Sequence, residues 1–278
     1  MKKMLVVIAH PSDESFVFGG MISLYKELGW NISLICATYG EQAVDQGLQG
    51  EKITESPEQK ELKRAAYILG ISNTNFLGYK TGKVSTVPPG TLEATLENAM
   101  RDLLPDIVVT FGVNGINNDP DHIKVCFSTT YAFQKYARHL HILSQPELVK
   151  GRGKEWKQFE FQRTFGQTGE FEKIPKLYYA CYPTSVTEYL QKIKSLPVES
   201  FEKKWIGTLD KKITTVIDIK DKSNKIKALS AYESYREEIE PFILFEKNPY
   251  LEREYYLLRM QGIYEVYMSK NDRVAEQL

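Results

Sequence analysis

Short, almost uninterrupted apolar runs punctuate the chain at Met4–Ala9, Asn31–Ala37, Asp106–Phe111 and Lys176–Cys181. Their apolar residues do not alternate with polar ones, which is the pattern of strands covered on both faces. Segments of helical period lie between them. The first runs from about Glu14 to Leu28 and stops at Gly29. The second opens near Pro57, runs to Leu69 and stops at Gly70. A third spans Thr91 to Leu104 and is closed by Pro105, and a fourth opens at Pro120 and reaches about Leu140. Asn75–Leu77 adds a short strand. Strand and helix in alternation predict an α/β fold: a Rossmann-like, doubly wound, mostly parallel sheet with helices on both faces. No internal repeat is present.

The pattern changes at about 144–176, where Gly151, Gly153, Gly166 and Gly169 interrupt a mixture of charges, Trp156 and several phenylalanines. A stretch of this length without regular structure reads as a lid-like insertion, with a plain surface excursion as the alternative. Lys176–Cys181 resumes as a strand, Val186–Lys194 as a helix and Thr214–Ile219 as a strand. Helices are then expected at Lys222–Ile239 and Leu251–Met268, a C-terminal helical elaboration of about 220–278. No linker composition divides the chain, so 1–278 is expected to be a single domain.

Composition narrows the function classes. Hydrophobic residues make up 42% and charged residues 26%, an ordinary globular balance. Lys plus Arg equals Asp plus Glu at 36 each, so no electrostatic footprint for nucleic acid is present. Three scattered cysteines form neither a disulfide framework nor a metal knuckle, and Cys36 and Cys126 read as buried small residues. No apolar run spans a membrane and no signal precedes the first strand, so a cytoplasmic protein is expected. Assembly into a homo-oligomer stays open.

The candidate chemistry sits at two strand ends. The first strand runs into His10-Pro11-Ser12-Asp13-Glu14, and Val108–Phe111 is followed by Asp119-Pro120-Asp121-His122. Open α/β sheets hold ligands at the carboxyl ends of their strands. Two such ends, each bearing His and Asp, suit convergence on one metal ion. The plainer reading has His10 capping a strand and His122 opening a helix, independently. His139 and His141, near a helix end, read as surface residues. No G-x-G-x-x-G turn, Walker loop or G-x-S-x-G elbow supports a dinucleotide, nucleotide or serine-hydrolase site.

These blocks resemble the LmbE-like (PIG-L) zinc-dependent de-N-acetylase superfamily. The family opens with a strand and His-Pro-Asp-Asp-Glu, matched by His10 to Glu14, and continues with a Gly-Gly pair, matched by Gly19-Gly20. Its later His-Pro-Asp-His corresponds to Asp119 to His122. Cys36–Glu41 and Phe76–Tyr79 also look like family elements. The resemblance implies that His10, Asp13 and His122 bind Zn2+, although Fe2+ also suits two histidines and one carboxylate. It implies an N-acyl (acetyl) group removed from an amino sugar or related small-molecule amide by zinc-activated water.

Departures from the family pattern bear on activity. Ser12 stands where the family has its general-base aspartate, and such a base contributes about 10²–10⁴-fold. Asp121, matching an aspartate close to the metal, is the first choice as replacement, with Asp119 as a second. Asp119 itself stands in place of a histidine thought to stabilise the tetrahedral intermediate. Asn117 occupies the place of an oxyanion-binding tyrosine and remains a donor. Tyr232, at the end of Lys225-Ile226-Lys227-Ala228-Leu229-Ser230-Ala231-Tyr232, stands where a histidine contacts substrate or product. The alternative function is a catalytically attenuated or silent homologue that binds metal and a sugar-like ligand.

Overall fold

The computed structural model describes residues 1–41, 55–144, 174–245, 248–267, 275 and 277–278. The expected insertion therefore lies almost wholly outside the described residues. The first half alternates as the apolar pattern predicts: β1 (Lys3–Ile8), α1 (Asp13–Glu27), β2 (Asn31–Thr38), α2 (Pro57–Leu69), β3 (Asn73–Tyr79), α3 (Thr91–Leu103) and β4 (Ile107–Phe111). A short turn, α4 (Gly115–Asn118), precedes α5 (Pro120–Ser144) and β5 (Lys176–Cys181).

Local signals set these boundaries. The Ser56 hydroxyl accepts the Gln59 N–H at 3.2 Å while the Gln59 side chain accepts the Ser56 N–H at 2.9 Å, a reciprocal cap that starts α2 with Pro57 in its first turn. The helix ends at Gly70, whose φ of 79° is open to glycine at little cost.

Strands β1 to β5 run parallel in the spatial order β3-β2-β1-β4-β5. Helices α1 and α2 pack together, as do α3 and α5. Because successive crossovers are right-handed, the reversal of order at β1 sends these two pairs to opposite faces of the sheet. Leu5, Val6 and Val7 of β1 and Val108 and Val109 of β4 are fully buried between them. Burying each such side chain contributes about 1.5–3 kcal/mol. The crevice between the carboxyl ends of β1 and β4 is the topological switch point, and both candidate blocks begin there.

The second half departs from expectation in two places. After α6 (Thr184–Lys192), a small hairpin, β6 (Glu199–Ser200) and β7 (Lys203–Lys204), and β8 (Thr215–Asp218), the helix expected at Lys222–Ile239 is two helices, α7 (Ser223–Leu229) and α8 (Arg236–Leu244). The turn between them is held by Glu61 of α2, whose Oε1 accepts the N–H groups of Glu233 and Ser234 at 3.1 Å each. The helix expected at Leu251–Met268 is instead a short turn, α9 (Pro249–Glu252), followed by strands β9 (Arg253–Gln261) and β10 (Tyr264–Glu265). β9 joins the main sheet antiparallel to β5 and β8. The run Tyr255-Tyr256-Leu257-Leu258 carries strand propensity as well as helical spacing, and two partner strands decide between them. The segment from 220 onward is thus partly sheet.

β9 also delivers an unexpected buried ion pair. Glu254, 4% exposed, accepts from Lys225 Nζ (2.7 Å), Tyr256 OH (2.8 Å) and the N–H groups of Gly20 and Met21 in α1 (2.8 Å each). This approach requires glycine at position 20. A Cβ there would lie 2.3 Å from Ile219 Cδ1 and 3.1 Å from Glu254 Oε1. Lys225 and the Gly-Gly pair therefore serve to dock α1, α7 and β9. No helix among the described residues is long and apolar enough to cross a membrane.

Candidate metal centre and catalytic cavity

β1 ends at Ile8, and the chain turns through Pro11 and Ser12 into α1. Ser12 takes φ 91°, left-handed for a non-glycine residue, while its carbonyl accepts the N–H groups of Ser15 and Phe16 at 3.0 Å. The turn brings Asp13 back over His10, whose backbone N–H donates to Asp13 Oδ2 at 2.7 Å. The other oxygen, Asp13 Oδ1, lies 3.3 Å from His122 Nε2. His10, Asp13 and His122 are thus gathered in one group, with one candidate ligand atom of each within 4.8 Å of the others.

Surrounding groups fix both imidazoles. His10 Nε2 lies 3.2 Å from Asp121 Oδ2; an ionised carboxylate only accepts, so the proton sits on Nε2 and Nδ1 is left bare. His122 Nδ1 donates to the Gly115 carbonyl at 3.1 Å, which leaves Nε2 bare, and its ring lies flat on Phe111 at 4.0 Å. The strained turn before α5, where Ile116 has φ 65°, presents that carbonyl. The two bare nitrogens face each other at 3.3 Å. Metal–ligand bonds of about 2.0–2.1 Å at tetrahedral angles separate donor atoms by about 3.4 Å. The His10–His122 and His122–Asp13 separations, both 3.3 Å, suit ligands of one divalent cation, with the third separation within 4.8 Å.

Without an ion the same carboxylates favour a proton on His122 Nε2, the charge that a bound cation would replace. Burial works against a charge on His122, yet the adjacent Asp13 carboxylate, by charge and hydrogen bond, and Asp119 raise it to about 9. Burial also opposes the charge on Asp13, but His122 and His10 outweigh it and its pKa is lowered.

The remaining expected site residues have distinct surroundings. Asp121 is buried with both oxygens engaged: Oδ2 accepts from Gly82 N–H (2.7 Å) and His10, and Oδ1 from Ser85 N–H (2.9 Å). It is placed to orient His10, and each of its oxygens already accepts a hydrogen bond. Asp119 caps α5: its Oδ1 accepts the Asp121 N–H at 2.7 Å and the His122 N–H at 3.4 Å. Its Oδ2 lies 4.0 Å from His122 Nε2. Ser12 and Asn117 line the same cavity. Asn117 Oδ1 accepts the Asp119 N–H at 3.3 Å, leaving its NH2 as donor.

Tyr232 does not line the cavity. It is 2% exposed and donates to Glu14 Oε1 at 2.7 Å beneath the site. Burial lifts the Glu14 carboxyl to about 7, although Ser15 and Tyr232 both donate to it. The aromatic residue that lines the cavity from this region is Tyr235. Cys36 and Cys126 are buried, as expected, with thiols pushed up chiefly by burial, Cys126 to about 12.

The cavity holds about 440 Å³, and Glu41, Thr81, Gly82, Ser85 and Phe201 also line it. Thr81 to Ser85 follow a parallel strand, so the rule that ligands gather at strand ends could have flagged them. Phe201 had no such signal: it lies in a short hairpin without apolar periodicity.

Residues 5–133, which contain every residue of the ligand group, match the family described as PIG-L: GlcNAc-PI de-N-acetylase. Over this stretch, a little under half of the chain, the protein is similar to the PIG-L (LmbE-like) deacetylases. Relatives along the chain agree. The chain is 32% identical to a probable N-acetyl-alpha-D-glucosaminyl L-malate deacetylase 2 of Bacillus anthracis, over 44% of this chain and 54% of that one. It thus spans about half the length of that relative. It is 26% identical to 1D-myo-inositol 2-acetamido-2-deoxy-alpha-D-glucopyranoside deacetylase 1 of Catenulispora acidiphila, over 78% of this chain and 70% of that one. Solved structures of the same fold include N,N'-diacetylchitobiose deacetylase from Pyrococcus horikoshii, with TM-score 0.56, 18% identity, and coverage of 94% of this chain and 85% of that one. Another is GalB, the 4-carboxy-2-hydroxymuconate hydratase from Pseudomonas putida KT2440, with TM-score 0.56, 17% identity, and coverage of 97% and 99%. At these identities the structures speak for the fold alone.

Proposed function

We propose that the protein is a metal-dependent N-deacetylase that hydrolyses the acetamide of an N-acetylated amino sugar or related small molecule. The observation that carries this reading is the facing pair of bare imidazole nitrogens beside Asp13, each ring locked by an outer partner. Locked tautomers of this kind are the usual support of metal-ligating histidines. Zn2+ suits the set, and Fe2+ is the other candidate for two histidines and a carboxylate. When bound, the ion supplies a Lewis acid that polarises the amide carbonyl and lowers the pKa of a water toward about 7.

The chain's own groups must then move one proton, from the attacking water to the leaving nitrogen, so that amide and water become acetic acid and amine, which pass on to acetate and ammonium. A serine hydroxyl does not accept that proton at neutral pH, and Asp121 has both oxygens engaged. Asp119 is the assigned base: one oxygen is fixed as the helix cap and the other lies at the ligand group. The Asn117 NH2 offers a donor to the developing oxyanion. Ser12 favours a second reading, a silent homologue that binds metal and a sugar without turning it over.

Acetate release from N-acetylglucosamine conjugates by the zinc-loaded protein tests the two, with His10→Ala and chelated protein as blanks. Release above both blanks is expected. Saturable binding of the conjugates with no release at full metal occupancy would establish the silent homologue instead.

A further inference from the structure

We propose that the cavity selects its substrate by acceptor charge, taking N-acetylated amines whose acceptor is uncharged or cationic and turning away acceptors that carry carboxylate or phosphate. The inference rests on the deacetylase reading and adds a substrate class to it. Four carboxylates line the cavity: Asp13, Glu41, Asp119 and Asp121. A bound divalent ion offsets two of these charges. Among the described residues no Lys or Arg lines it. Lys80, Lys83 and Lys203, on bordering segments, are exposed and are not part of the wall.

Among the described residues, the backbone donors of the two helix starts and the loop after β3 already face carboxylates. Helix N-termini are the common anion sites of such folds. The N-terminus of α5 is capped by Asp119, and the first turn of α1 carries Asp13 and Glu14. The loop amides of Gly82 and Ser85 are both bound to Asp121. Among the described residues, a malate or phosphate group would meet no fork of cations at this wall.

Three of the lining residues suit a sugar face or an ammonium group. Phe201 sits at the tip of the β6–β7 hairpin, where it and Glu202 take φ 48° and 59°. Asn118 fixes the hairpin beside the cavity, its Nδ2 donating to the carbonyls of Ser200, Lys203 and Lys204 at 3.2–3.4 Å. Phe201, Tyr235 and Glu41 thus combine aromatic faces with a carboxylate, the chemistry that receives cations and apolar sugar faces.

The test compares three substrates of the zinc-loaded protein: N-acetylglucosaminyl malate, methyl N-acetylglucosaminide and 2-aminoethyl N-acetylglucosaminide. Acetate release gives kcat/KM, and calorimetric titration gives affinity. The neutral and cationic compounds should exceed the malate conjugate by at least about tenfold in both measures, with the gap narrowing at about 0.5 M salt. Glu41→Gln should reduce the preference for the aminoethyl compound over the methyl one. Malate binding as tight as the others, or tighter, would overturn the inference whatever the rates. The predicted order of affinities without acetate release would overturn the deacetylase reading and leave the charge selection standing. Binding of none of the three would overturn both.

Discussion

Asp121 Oδ2 lies 3.2 Å from His10 Nε2, a contact that favours the tautomer of its neighbour with Nδ1 bare. The same carboxylate is fixed by two loop amides, so the His10 ring is oriented from β1 through α5 to the loop after β3. Asp121→Ala should free the ring to adopt either tautomer. Metal affinity should fall by about 10–100-fold while the fold persists. A zinc titration against a chromogenic chelator measures this, and an unchanged affinity would remove Asp121 from the orienting role.

Glu93 links α3 to the helix that carries His122. Gly90 N–H, Lys124 Nζ and Ser128 Oγ donate to it at 2.7, 2.9 and 2.7 Å. Burial alone would raise its pKa; the bonds from Ser128 and Lys124, with backbone amides, lower it to about 2. The folded value lies below the unfolded one of about 4.3. The charge therefore stabilises the fold above that value, and the contribution is lost as pH falls from about 4.5 toward 2. Melting temperatures of the protein and of Glu93→Gln should differ most near neutral pH and converge on acidification. A constant offset across that window would contradict the assignment.

Glu254 and Lys225 form the other test of packing. Glu254→Gln would leave the Lys225 ammonium, 1% exposed, without its counter-charge. Removing one partner of such a pair typically costs about 3–5 kcal/mol. Urea unfolding should report a loss in that range, with metal affinity little changed in the protein that remains folded.

The parts legible in the sequence were those fixed by neighbouring residues. Parallel strands buried on both faces announce themselves as short apolar runs, and His10, Asp13 and His122 each sit a few residues beyond one. Roles that depend on distant partners were not legible. Tyr232 and Tyr235 differ by three positions, yet a turn pinned by Glu61, about 170 residues earlier, buries one and brings the other to the cavity. The Tyr255–Leu258 run carries both periods, and only pairing with β5 and β8 makes it a strand. The division between Asp119 and Asp121 likewise depends on the Gly82 and Ser85 amides, which no local motif in the Asp119–His122 block encodes.

Asp119 and Ser12 together give the sharpest prediction. Asp119→Asn keeps the cap on α5, because asparagine caps about as well as aspartate, so melting temperature and metal content should barely move. The carboxylate oxygen 4.0 Å from His122 Nε2 is lost, however, and kcat should fall by about 10²–10⁴-fold with KM nearly constant. Ser12 lines the same cavity and has a left-handed backbone, which aspartate tolerates better than most residues. Ser12→Asp introduced into the Asp119→Asn protein should therefore restore much of the lost rate by supplying a carboxylate from the other strand end. A general loss of site integrity would not be repaired this way, so recovery of kcat identifies the missing function as proton transfer. Unchanged kcat in Asp119→Asn would remove Asp119 from that role, and failure of Ser12→Asp to recover a lost rate would mean that the Asp119 oxygen does something other than accept a proton.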